Sequence, residues 1–238
     1  VETGVCEDEC RRVNEVFFHY ITHKTPFVVL KYAMTLDGKI AAHTGDSRWV
    51  TGEPARRHVH ETRNRLPAIM VGVGTVLADD PKLTCRIDGG RDPIRVICDS
   101  RARTPIDSQL VQTADKIPTY IAVVGRNERT AQLEQHGVHI LECPSKNGRV
   151  DLASLMQQLG ALGISGVLLE GGSALAFSAL EAGLVHRVQA YIAPKIIGGA
   201  SAKSPVGGLG FDKMVQALPL KDVTCTQMGE DFLLEGRL

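Results

Sequence analysis

A lysine placed directly after an apolar run is the first residue here whose type and position suggest chemistry. Lys31 follows Phe27–Leu30, a pattern typical of a strand that is buried on both faces of a sheet. A buried ammonium group carries a desolvation cost unless a carboxylate, a phosphate or a ligand meets it. Because burial disfavours the charged form, a partly desolvated lysine loses its proton easily, and Lys31 is a candidate for handling a proton. The alternative is a lysine at the fraying end of the strand, with its ammonium group in water.

Two polar turns and the only tryptophan follow Lys31 closely, and they favour a ligand site over a solvated lysine. Leu36–Lys39 reads LDGK, a tight turn in which Gly38 is free to adopt a positive φ. Thr44–Ser47 reads TGDS, a second polar turn that leads into Trp49. A lysine on a core strand, two polar loops and an aromatic side chain together predict a ligand site.

A second candidate site lies at Gly166–Ser173, which reads GVLLEGGS and predicts a strand, a turn and then a helix over 174–182. Ser173 is the expected N-cap, and Gly183 is the expected stop. Two glycines allow the backbone to approach a diphosphate, and a helix N-terminus favours negative charge. Gly-Gly-Ser alone is more often an ordinary turn. Glu170 makes the pattern more specific, because the carboxyl ends of strands line the crevice in open α/β sheets.

The strand predicted at Ala68–Val73 leads into a further candidate site for anions. Gly74 follows this strand and opens a short helix, where free backbone N–H groups point outward. Asp79 and Asp80 ahead of Pro81 could form no more than a turn.

The strand predicted at Ile94–Cys98 ends in a serine and two arginines, Ser100, Arg101 and Arg103. These side chains just beyond the carboxyl end of a strand suit the 2′-phosphate of NADP rather than the free hydroxyl of NAD. The pattern therefore favours NADP.

A helix is predicted after Thr51, with Thr51 as N-cap, Pro54 in the first turn and a pattern that runs to Leu66. One flanking face carries a basic stripe at i, i+4 and i+7: Arg56, His60 and Arg63. Such a stripe is usually solvated surface. A phosphate-bearing substrate would favour a role for one of these arginines, because guanidinium binds phosphate through two hydrogen bonds.

The order of these elements predicts the fold class. Strands and helices alternate, which argues for one α/β domain with a mainly parallel sheet. Asp222–Thr226 and Phe232–Glu235 predict an antiparallel hairpin at its edge. Gly198–Gly210, with five glycines, is expected to be a flexible loop over the site. An open sheet leaves edges to cover, so we expect a homodimer.

Composition argues against several classes of partner. The chain carries 27 Lys and Arg against 27 Asp and Glu, which suggests no nucleic-acid or acidic-membrane partner. No apolar run reaches the length of a membrane span. Of six cysteines only Cys6 and Cys10 are close neighbours, so no metal site is expected. Reduced thiols in a cytoplasmic protein are the plain interpretation. The charge-rich start predicts no signal peptide and suggests a fragment.

Four motifs together resemble the reductase domain of the bifunctional riboflavin-biosynthesis deaminase/reductase family. They are LKYAMTLDGKIA at 30–41, TGDSRWVT at 44–51, GTVLADDPKLTCR at 74–86 and LLEGG at 168–172. The resemblance implies a dihydrofolate-reductase-like fold, an open and mostly parallel sheet flanked by helices. It also implies an enzyme that uses NADPH to reduce the ribose of 5-amino-6-(5-phosphoribosylamino)uracil to a ribityl chain.

The beginning of the chain resembles the end of the deaminase domain of that family. The matching stretch is ECRRVNEVFFHYI, within a helix predicted at Glu7–Tyr20. We therefore expect residues 1–25 to be a remnant of that domain with its linker, and residues 26–238 to be the reductase domain. The zinc signature of deaminases, H-x-E with a later P-C-x-x-C, is absent, so no deaminase activity is expected in this chain.

Carried over by position, the resemblance implies a role for each of several residues. Those implied to contact NADPH are Ala33, Trp49, Thr75, Asp79, Ser100, Gly172, Ser173, Ala174, Leu175, Ala176, Phe177 and Ser178. Those implied to contact substrate are Ser47, Arg63, Leu83, Arg86 and Glu170, with Arg63 and Arg86 on its phosphate. Those implied to lie near the reacting centre are Lys31, Asp79 and Glu170, and the sequence leaves open which of the three donates the proton. Lys31 is the candidate for handling the proton or for hydrogen bonding to the ribose.

Three alternatives stand beside this interpretation. The related reductases of archaea and fungi act on the undeaminated diaminopyrimidine. A folate reductase would share the fold, but it would not need an arginine pair for a sugar phosphate. A catalytically silent nucleotide-binding domain would not need an intact set of Lys31, Asp79 and Glu170.

Overall fold

The computed structural model describes all 238 residues, and strands alternate with helices along most of the chain. The strands are β1 (Phe27–Thr35), β2 (Ala68–Gly72), β3 (Ile94–Cys98), β4 (Thr119–Val123), β5 (His139–Glu142), β6 (Ser145–Lys146), β7 (Arg149–Val150), β8 (Gly166–Glu170), β9 (Arg187–Ala193), β10 (Lys221–Met228) and β11 (Asp231–Arg237). The helices are α1 (Glu7–Val13), α2 (Glu15–His23), α3 (Glu53–Arg65), α4 (Val73–Asp79), α5 (Gln109–Gln112), α6 (Glu128–Gln135), α7 (Leu152–Ala161) and α8 (Ser173–Glu181). A short 3-10 helix spans Met214–Gln216.

Nine strands form one open sheet in the order β10-β11-β9-β1-β8-β2-β3-β4-β5. The strands from β9 to β5 in this order run parallel, whereas β11 pairs antiparallel with both β9 and β10. β6 and β7 form a separate small hairpin. The predicted open, mostly parallel sheet with a C-terminal antiparallel hairpin is therefore confirmed.

Helices cover both faces of this sheet. On one face α7 and α8 supply Leu155, Leu159 and Ala176 to a core cluster of 19 buried residues. On the other face α4 and α6 supply Val76 and Leu133 to a cluster of 15 buried residues. Burial of these apolar surfaces on both sides of the parallel strands is what holds their carboxyl ends in place.

β1 lies inside the sheet, between β8 and β9. Its first residues, Phe27–Leu30, are buried as predicted. The strand continues through Thr35, so Lys31 lies in its middle and the alternative of a lysine at a fraying end is wrong. In the parallel register Lys31 is the partner of Glu170 on β8.

Two predicted helix caps are wrong by one residue. The N-cap of α3 is Gly52 rather than Thr51, and the N–H of Gly52 is fixed by the carboxylate of Asp231 at 2.6 Å. The N-cap of α8 is Gly172, with φ of 86°, so Ser173 is already the first helical residue. Gly171 also has a positive φ, and two consecutive residues can take this conformation at low cost only if both are glycines.

The predicted helix Glu7–Tyr20 is divided into α1 and α2, which meet at Asn14. The side chain of Asn14 donates to the carbonyl of Cys10, so it competes with continued helix. Glu15 at the start of α2 forms ion pairs of 2.9 Å with Arg187 and Arg237. These pairs fasten α2 to the start of β9 and the end of β11.

Several predicted strand bounds also shift. β9 ends at Ala193 rather than Ile197, because the N–H groups of Ile197 and Gly198 are bonded by the carboxylate of Asp37 instead of a neighbouring strand. The hairpin strands β10 and β11 are longer than predicted. All six cysteines are free, and no helix is long and apolar enough to span a bilayer.

Candidate active site

A cavity of about 790 Å³ lies beside β1 and beyond the carboxyl ends of β2 and β8. This is the position at which open α/β sheets bind ligands. The predicted site residues that line it are Lys31, Ala33, Ser47, Trp49, Arg63, Thr75, Asp79, Leu83, Arg86, Glu170, Gly172, Ser173, Ala174 and Ala176. Residues from distant parts of the sequence therefore meet in one cavity.

The centre of this cavity is a cluster of three charged side chains. Arg63 donates to both carboxylate oxygens of Glu170, from Nε at 3.0 Å and from Nη2 at 2.8 Å. The ammonium nitrogen of Lys31 lies 3.8 Å from Oε2 of the same carboxylate. All three side chains are largely buried, at 11–15% exposure. Two cations thus share one carboxylate, and the guanidinium holds it more closely.

This arrangement moves both titrating groups from their ordinary values. Burial acts to raise the pKa of Glu170, but the charges of Arg63 and Lys31 outweigh it and lower that pKa to about 2. Burial lowers the pKa of Lys31, against the attraction of Glu170, and the charge of Arg63 lowers it further. Lys31 is therefore a weaker base than a solvated lysine, and its ammonium form gives up a proton more easily.

The ring of Tyr191 lies close to Lys31, a role that the sequence analysis did not predict. The ammonium nitrogen of Lys31 lies 5.6 Å from the centroid of the Tyr191 ring, within cation–π range. Tyr191 is fully buried on β9, and its hydroxyl is fixed by a 2.7 Å hydrogen bond with Nδ1 of His58. No local signal distinguishes this tyrosine from a core residue, since its role depends on β9 lying beside β1.

Arg63 also fastens the loop that carries Leu83 and Arg86. Its Nη1 donates to the carbonyl of Thr84 at 2.9 Å. Leu83 is buried in this loop with a φ of 53°, a left-handed conformation that a leucine rarely adopts. Three of the five N–H groups of Arg63 are therefore used within the protein, and one on each Nη remains for a ligand.

Arg86 contacts His60, another residue whose role was missed. The sequence favoured a site role only for an arginine of the basic stripe on α3, yet His60 is buried and also lines the cavity. Nε of Arg86 lies 3.2 Å from Nε2 of His60, and the backbone nitrogen of Arg86 lies 3.2 Å from Nδ1. The stripe is thus the wall of a cavity, because the loop at 83–86 folds against it.

Trp49 forms an exposed aromatic wall of the cavity. The guanidinium carbon of Arg56 lies 4.7 Å from its ring centroid, and Nη1 of Arg56 donates to the carbonyl of Thr51. Lys195 donates to the carbonyl of Trp49 at 3.2 Å. The guanidinium of Arg56 thus contacts the ring and Lys195 holds the backbone, and the exposed indole can stack against a flat ligand group.

Asp79 lies at the last turn of α4 and is exposed on the cavity wall. Its carboxylate forms no ion pair with Lys31 or with any other residue. Thr75 lies one turn earlier, where its hydroxyl would be only 2.9 Å from a Cβ added at Gly171. A glycine at that position therefore lets α4 approach the turn before α8.

A second cavity of about 410 Å³ adjoins the first and shares Gly74, Gly172 and Ala174 with it. Besides Gly172 and Ala174, it is lined by three further predicted cofactor residues, Ser100, Leu175 and Ser178. Three exposed arginines also line it: Arg101, Arg103 and Arg149. The hydroxyl of Ser100 accepts from the backbone of Val150, which holds the β6–β7 hairpin against this cavity. The hairpin, and with it Arg149, was not foreseen.

The sequence of this chain matches the family model described as RibD C-terminal domain over residues 26–234. The chain belongs to this family. It is 51% identical to riboflavin biosynthesis protein RibD of Actinobacillus pleuropneumoniae, over 99% of this chain and 63% of that protein. It is 44% identical to the 2,5-diamino-6-ribosylamino-4(3H)-pyrimidinone 5′-phosphate reductase of Methanothermobacter thermautotrophicus, over 88% of this chain and 97% of that protein.

Solved structures of RibD proteins share the fold. The deaminase/reductase of Thermotoga maritima has a TM-score of 0.81 at 33% identity, over 98% of this chain and 62% of that chain. Acinetobacter baumannii RibD has a TM-score of 0.85 at 30% identity, over 100% of this chain and 65% of that chain. This chain thus spans somewhat less than two thirds of the RibD proteins it matches. The relatives support a reductase role in riboflavin biosynthesis.

One residue carried over from the RibD resemblance lies away from both cavities. Phe177 is buried on α8, and its ring packs against Phe211 with centroids 5.6 Å apart. The side chain of Phe177 therefore has a packing role, and the cofactor contact expected of this residue stays a prediction. Its successor Ser178 is the residue of this turn that reaches the second cavity.

The glycine-rich loop does reach the site in this RibD domain. Ser201, Lys203 and Pro205 line the first cavity. The N–H of Gly207 donates to the carbonyl of Ser173, which ties the loop to the start of α8. Asp37 anchors the other end of the loop by accepting hydrogen bonds from the N–H groups of Ile197 and Gly198. The hydrogen bond from Thr35, followed by that from Gly198, lowers the pKa of Asp37 to about 2.

Proposed function

We propose that this chain reduces the ribose of 5-amino-6-(5-phosphoribosylamino)uracil to the ribityl chain, with NADPH as reductant. The observation that carries this proposal is the cluster of Lys31, Glu170 and Arg63 at the centre of the large cavity. A lysine with a lowered pKa, held in a site between a cofactor cavity and a phosphate-binding loop, suits a reduction that must also deliver a proton.

The residues present fit an extended dinucleotide. Gly171 and Gly172, both with positive φ, form the turn before α8. Because glycine has no side chain, nothing at this turn blocks the approach to the N-terminus of α8. The two adjoining cavities share this turn. Arg101, Arg103 and Arg149 around the second cavity suit the 2′-phosphate that distinguishes NADPH from NADH. When bound, NADPH supplies the hydride for C1′ of the substrate.

Lys31 is proposed to supply the proton. As C1′ gains the hydride, its bond to the ring oxygen breaks and the electron pair goes to that oxygen, which must be protonated. The ammonium group of Lys31 donates this proton and is then recharged from solvent. Burial and the nearby charge of Arg63 lower its pKa and so favour this donation.

Glu170 and Arg63 are proposed to hold Lys31 and the substrate in place. Glu170 stays ionised, with a pKa lowered to about 2 mainly by Arg63 and Lys31 against the effect of burial. It can therefore accept hydrogen bonds from ribose hydroxyl groups. The unused N–H groups of Arg63 and the guanidinium of Arg86 would bind the phosphate.

A second candidate substrate is the undeaminated diaminopyrimidine. The observation in its favour is the Methanothermobacter relative, which is named as a reductase of that compound and of which this chain covers 97%. Oxidation of NADPH, followed by absorbance of the nicotinamide, tests both candidates when each pyrimidine is offered separately. Faster oxidation with the deaminated compound supports the proposal, and oxidation with neither contradicts it and favours a silent nucleotide-binding domain.

We also propose that residues 1–25 are the end of a deaminase domain with its linker, and that 26–238 form the reductase domain. The family match, which begins at residue 26, supports this division. The chain itself lacks the zinc signature of deaminases, so we propose that it has no deaminase activity and needs no zinc. Six free thiols fit a reducing compartment such as the cytoplasm.

A further inference from the structure

We infer that His60 is a positioning residue for Arg86, which it orients so that the guanidinium can bind the phosphate of the substrate. This inference rests on the proposed function, because it names how the phosphate end of that site is held. It adds a residue from α3 to those that the motifs assign to the substrate.

The His60 ring is buried and lies close to both the side chain and the backbone of Arg86. His60 is 8% exposed, and its ring lies with both nitrogens 3.2 Å from nitrogen atoms of Arg86. Its carbonyl also accepts from the thiol of Cys85. His60 on α3 thus contacts two consecutive residues, Cys85 and Arg86, of the loop at 83–86.

Only one of the two ring nitrogens can accept a hydrogen bond. Burial, followed by the charges of Arg63 and Arg86, lowers the pKa of His60 to about 4, so the ring is neutral near neutral pH. A neutral imidazole has one acceptor nitrogen and one N–H. If Nε2 carried the proton, an N–H would face the charged Nε of Arg86. Nε of Arg86 is the charged donor of the two, so the structure assigns the lone pair to Nε2, where it accepts a charge-assisted bond. Nδ1 then carries the proton, and its contact with the backbone nitrogen of Arg86 is not a hydrogen bond.

This assignment leaves the outer edge of the guanidinium free. Nη1 and Nη2 of Arg86 have no hydrogen-bond partner in the protein, although Arg86 lines the cavity. When His60 holds Nε, the planar guanidinium presents Nη1 and Nη2 in a fixed orientation that matches two oxygens of a phosphate.

The backbone of the loop does not depend on His60 alone. Arg63 holds the carbonyl of Thr84 at 2.9 Å, and the N–H of Cys85 donates to Asp92 at 2.7 Å. Loss of the imidazole should therefore leave the loop in place and free the guanidinium to move. The expected result is weaker phosphate binding without a change in the chemical step.

Calorimetric binding of ribose 5-phosphate and steady-state kinetics with the pyrimidine test this inference together. The variants are His60→Leu, which removes the acceptor, His60→Gln, which places an amide oxygen near the position of Nε2, and His60→Asn, which places one near Nδ1. Arg86→Met shows the full loss of the guanidinium. Lys82→Met is the matched control, an exposed lysine of the same segment that does not line the cavity.

His60→Leu should weaken ribose 5-phosphate binding by about 10-fold and raise KM for the pyrimidine similarly, with kcat unchanged. His60→Gln should restore most of the affinity, and His60→Asn should not. In Arg86→Met, the further change His60→Leu should have no effect. Should His60→Leu not fold, the difference between the Gln and Asn variants carries the test.

Three results would overturn the inference: wild-type affinity in His60→Leu, equal affinity in the Gln and Asn variants, or an effect of His60→Leu that persists in Arg86→Met. Failure of the proposed function is distinguishable from these. Phosphate binding that depends on His60, in a protein that oxidises no NADPH with either pyrimidine, would support the inference and contradict the function.

Discussion

Arg63 grips both oxygens of the Glu170 carboxylate, at 3.0 and 2.8 Å, and leaves Lys31 at the longer distance of 3.8 Å from it. The guanidinium therefore satisfies the buried carboxylate and keeps it from closing on the ammonium group. Lys31 is left with a lowered pKa in a cavity that can take a ligand. The predictions below follow from this arrangement and from the contacts around it.

Replacement of Arg63 should destabilise the fold, because it leaves the buried carboxylate of Glu170 with only the distant Lys31. We expect Arg63→Gln to lower the free energy of unfolding by about 3–5 kcal/mol, as for other broken buried pairs. Urea unfolding gives this number. Arg57→Gln is the control, since Arg57 lies on the same helix with a side chain that is 77% exposed. Equal stability of the two variants would contradict the proposed role of the pair.

NADPH should bind more tightly than NADH, because the arginines of the second cavity suit a 2′-phosphate. Removal of one charge-assisted contact in Arg149→Ala should weaken NADPH binding by about 10-fold or more while NADH binding stays the same. Calorimetry with both nucleotides measures this difference. Arg57→Ala serves as the charge control. Equal wild-type affinities for the two nucleotides would be the contrary result.

Acid should destabilise the protein over a pH range set by the partly buried His186. Burial, together with the charges of His19 and His23, lowers the pKa of His186 from 6.5 to about 4. The unfolded chain then binds more protons at this histidine than the folded one between these values, so its contribution to stability is fully present above pH 6.5 and is lost as pH falls through 4. Melting temperatures of the wild type should fall across this range.

The His186→Asn variant isolates this contribution. An asparagine can still accept the hydrogen bond that the N–H of Val28 makes to the imidazole, but it does not titrate. We therefore expect a weaker dependence of melting temperature on pH in this variant than in His136→Asn, which changes an exposed histidine. Parallel curves for the two variants would assign the acid sensitivity to other groups.

Self-association is expected from the surface near the glycine-rich loop. Leu209, Met214 and Val215 are exposed apolar residues in the segment before β10, and β10 is itself an open edge strand. Light scattering at micromolar concentration should give the mass of a dimer, and Val215→Asp should reduce it. Val13→Asp changes an exposed valine elsewhere and should not. A monomer mass for the wild type would contradict the prediction.

The sequence was informative where local patterns decide structure. The apolar run at Phe27–Leu30 predicted a buried strand, and Lys31 was recognised because its charge interrupts that run. The antiparallel hairpin and most strands followed from alternation and turn residues. The pairing of Lys31 with Glu170 is different, because it depends on β1 and β8 becoming neighbours in the sheet. Only the family motifs indicated that these two residues share a site.

The residues that were missed owe their roles to distant segments. His60 was given no role of its own, since nothing within α3 shows that the loop at 83–86 folds against it. Tyr191 resembles any core tyrosine until β9 lies beside β1. Ser173 was expected as an N-cap from its residue type, but the left-handed conformation of two preceding glycines begins the helix one residue earlier.

The central claim is that Lys31 delivers the proton during reduction, and kcat of Lys31→Met tests it most directly. Methionine keeps the length and apolar stem of the side chain, so a loss of rate would not reflect a cavity. We predict that kcat for NADPH oxidation with the phosphoribosylamino-pyrimidine falls by about 10²–10⁴-fold. Calorimetric affinity for NADPH and the melting temperature should stay near the wild-type values. Wild-type turnover in a folded Lys31→Met protein would contradict the claim and move the role to Asp79.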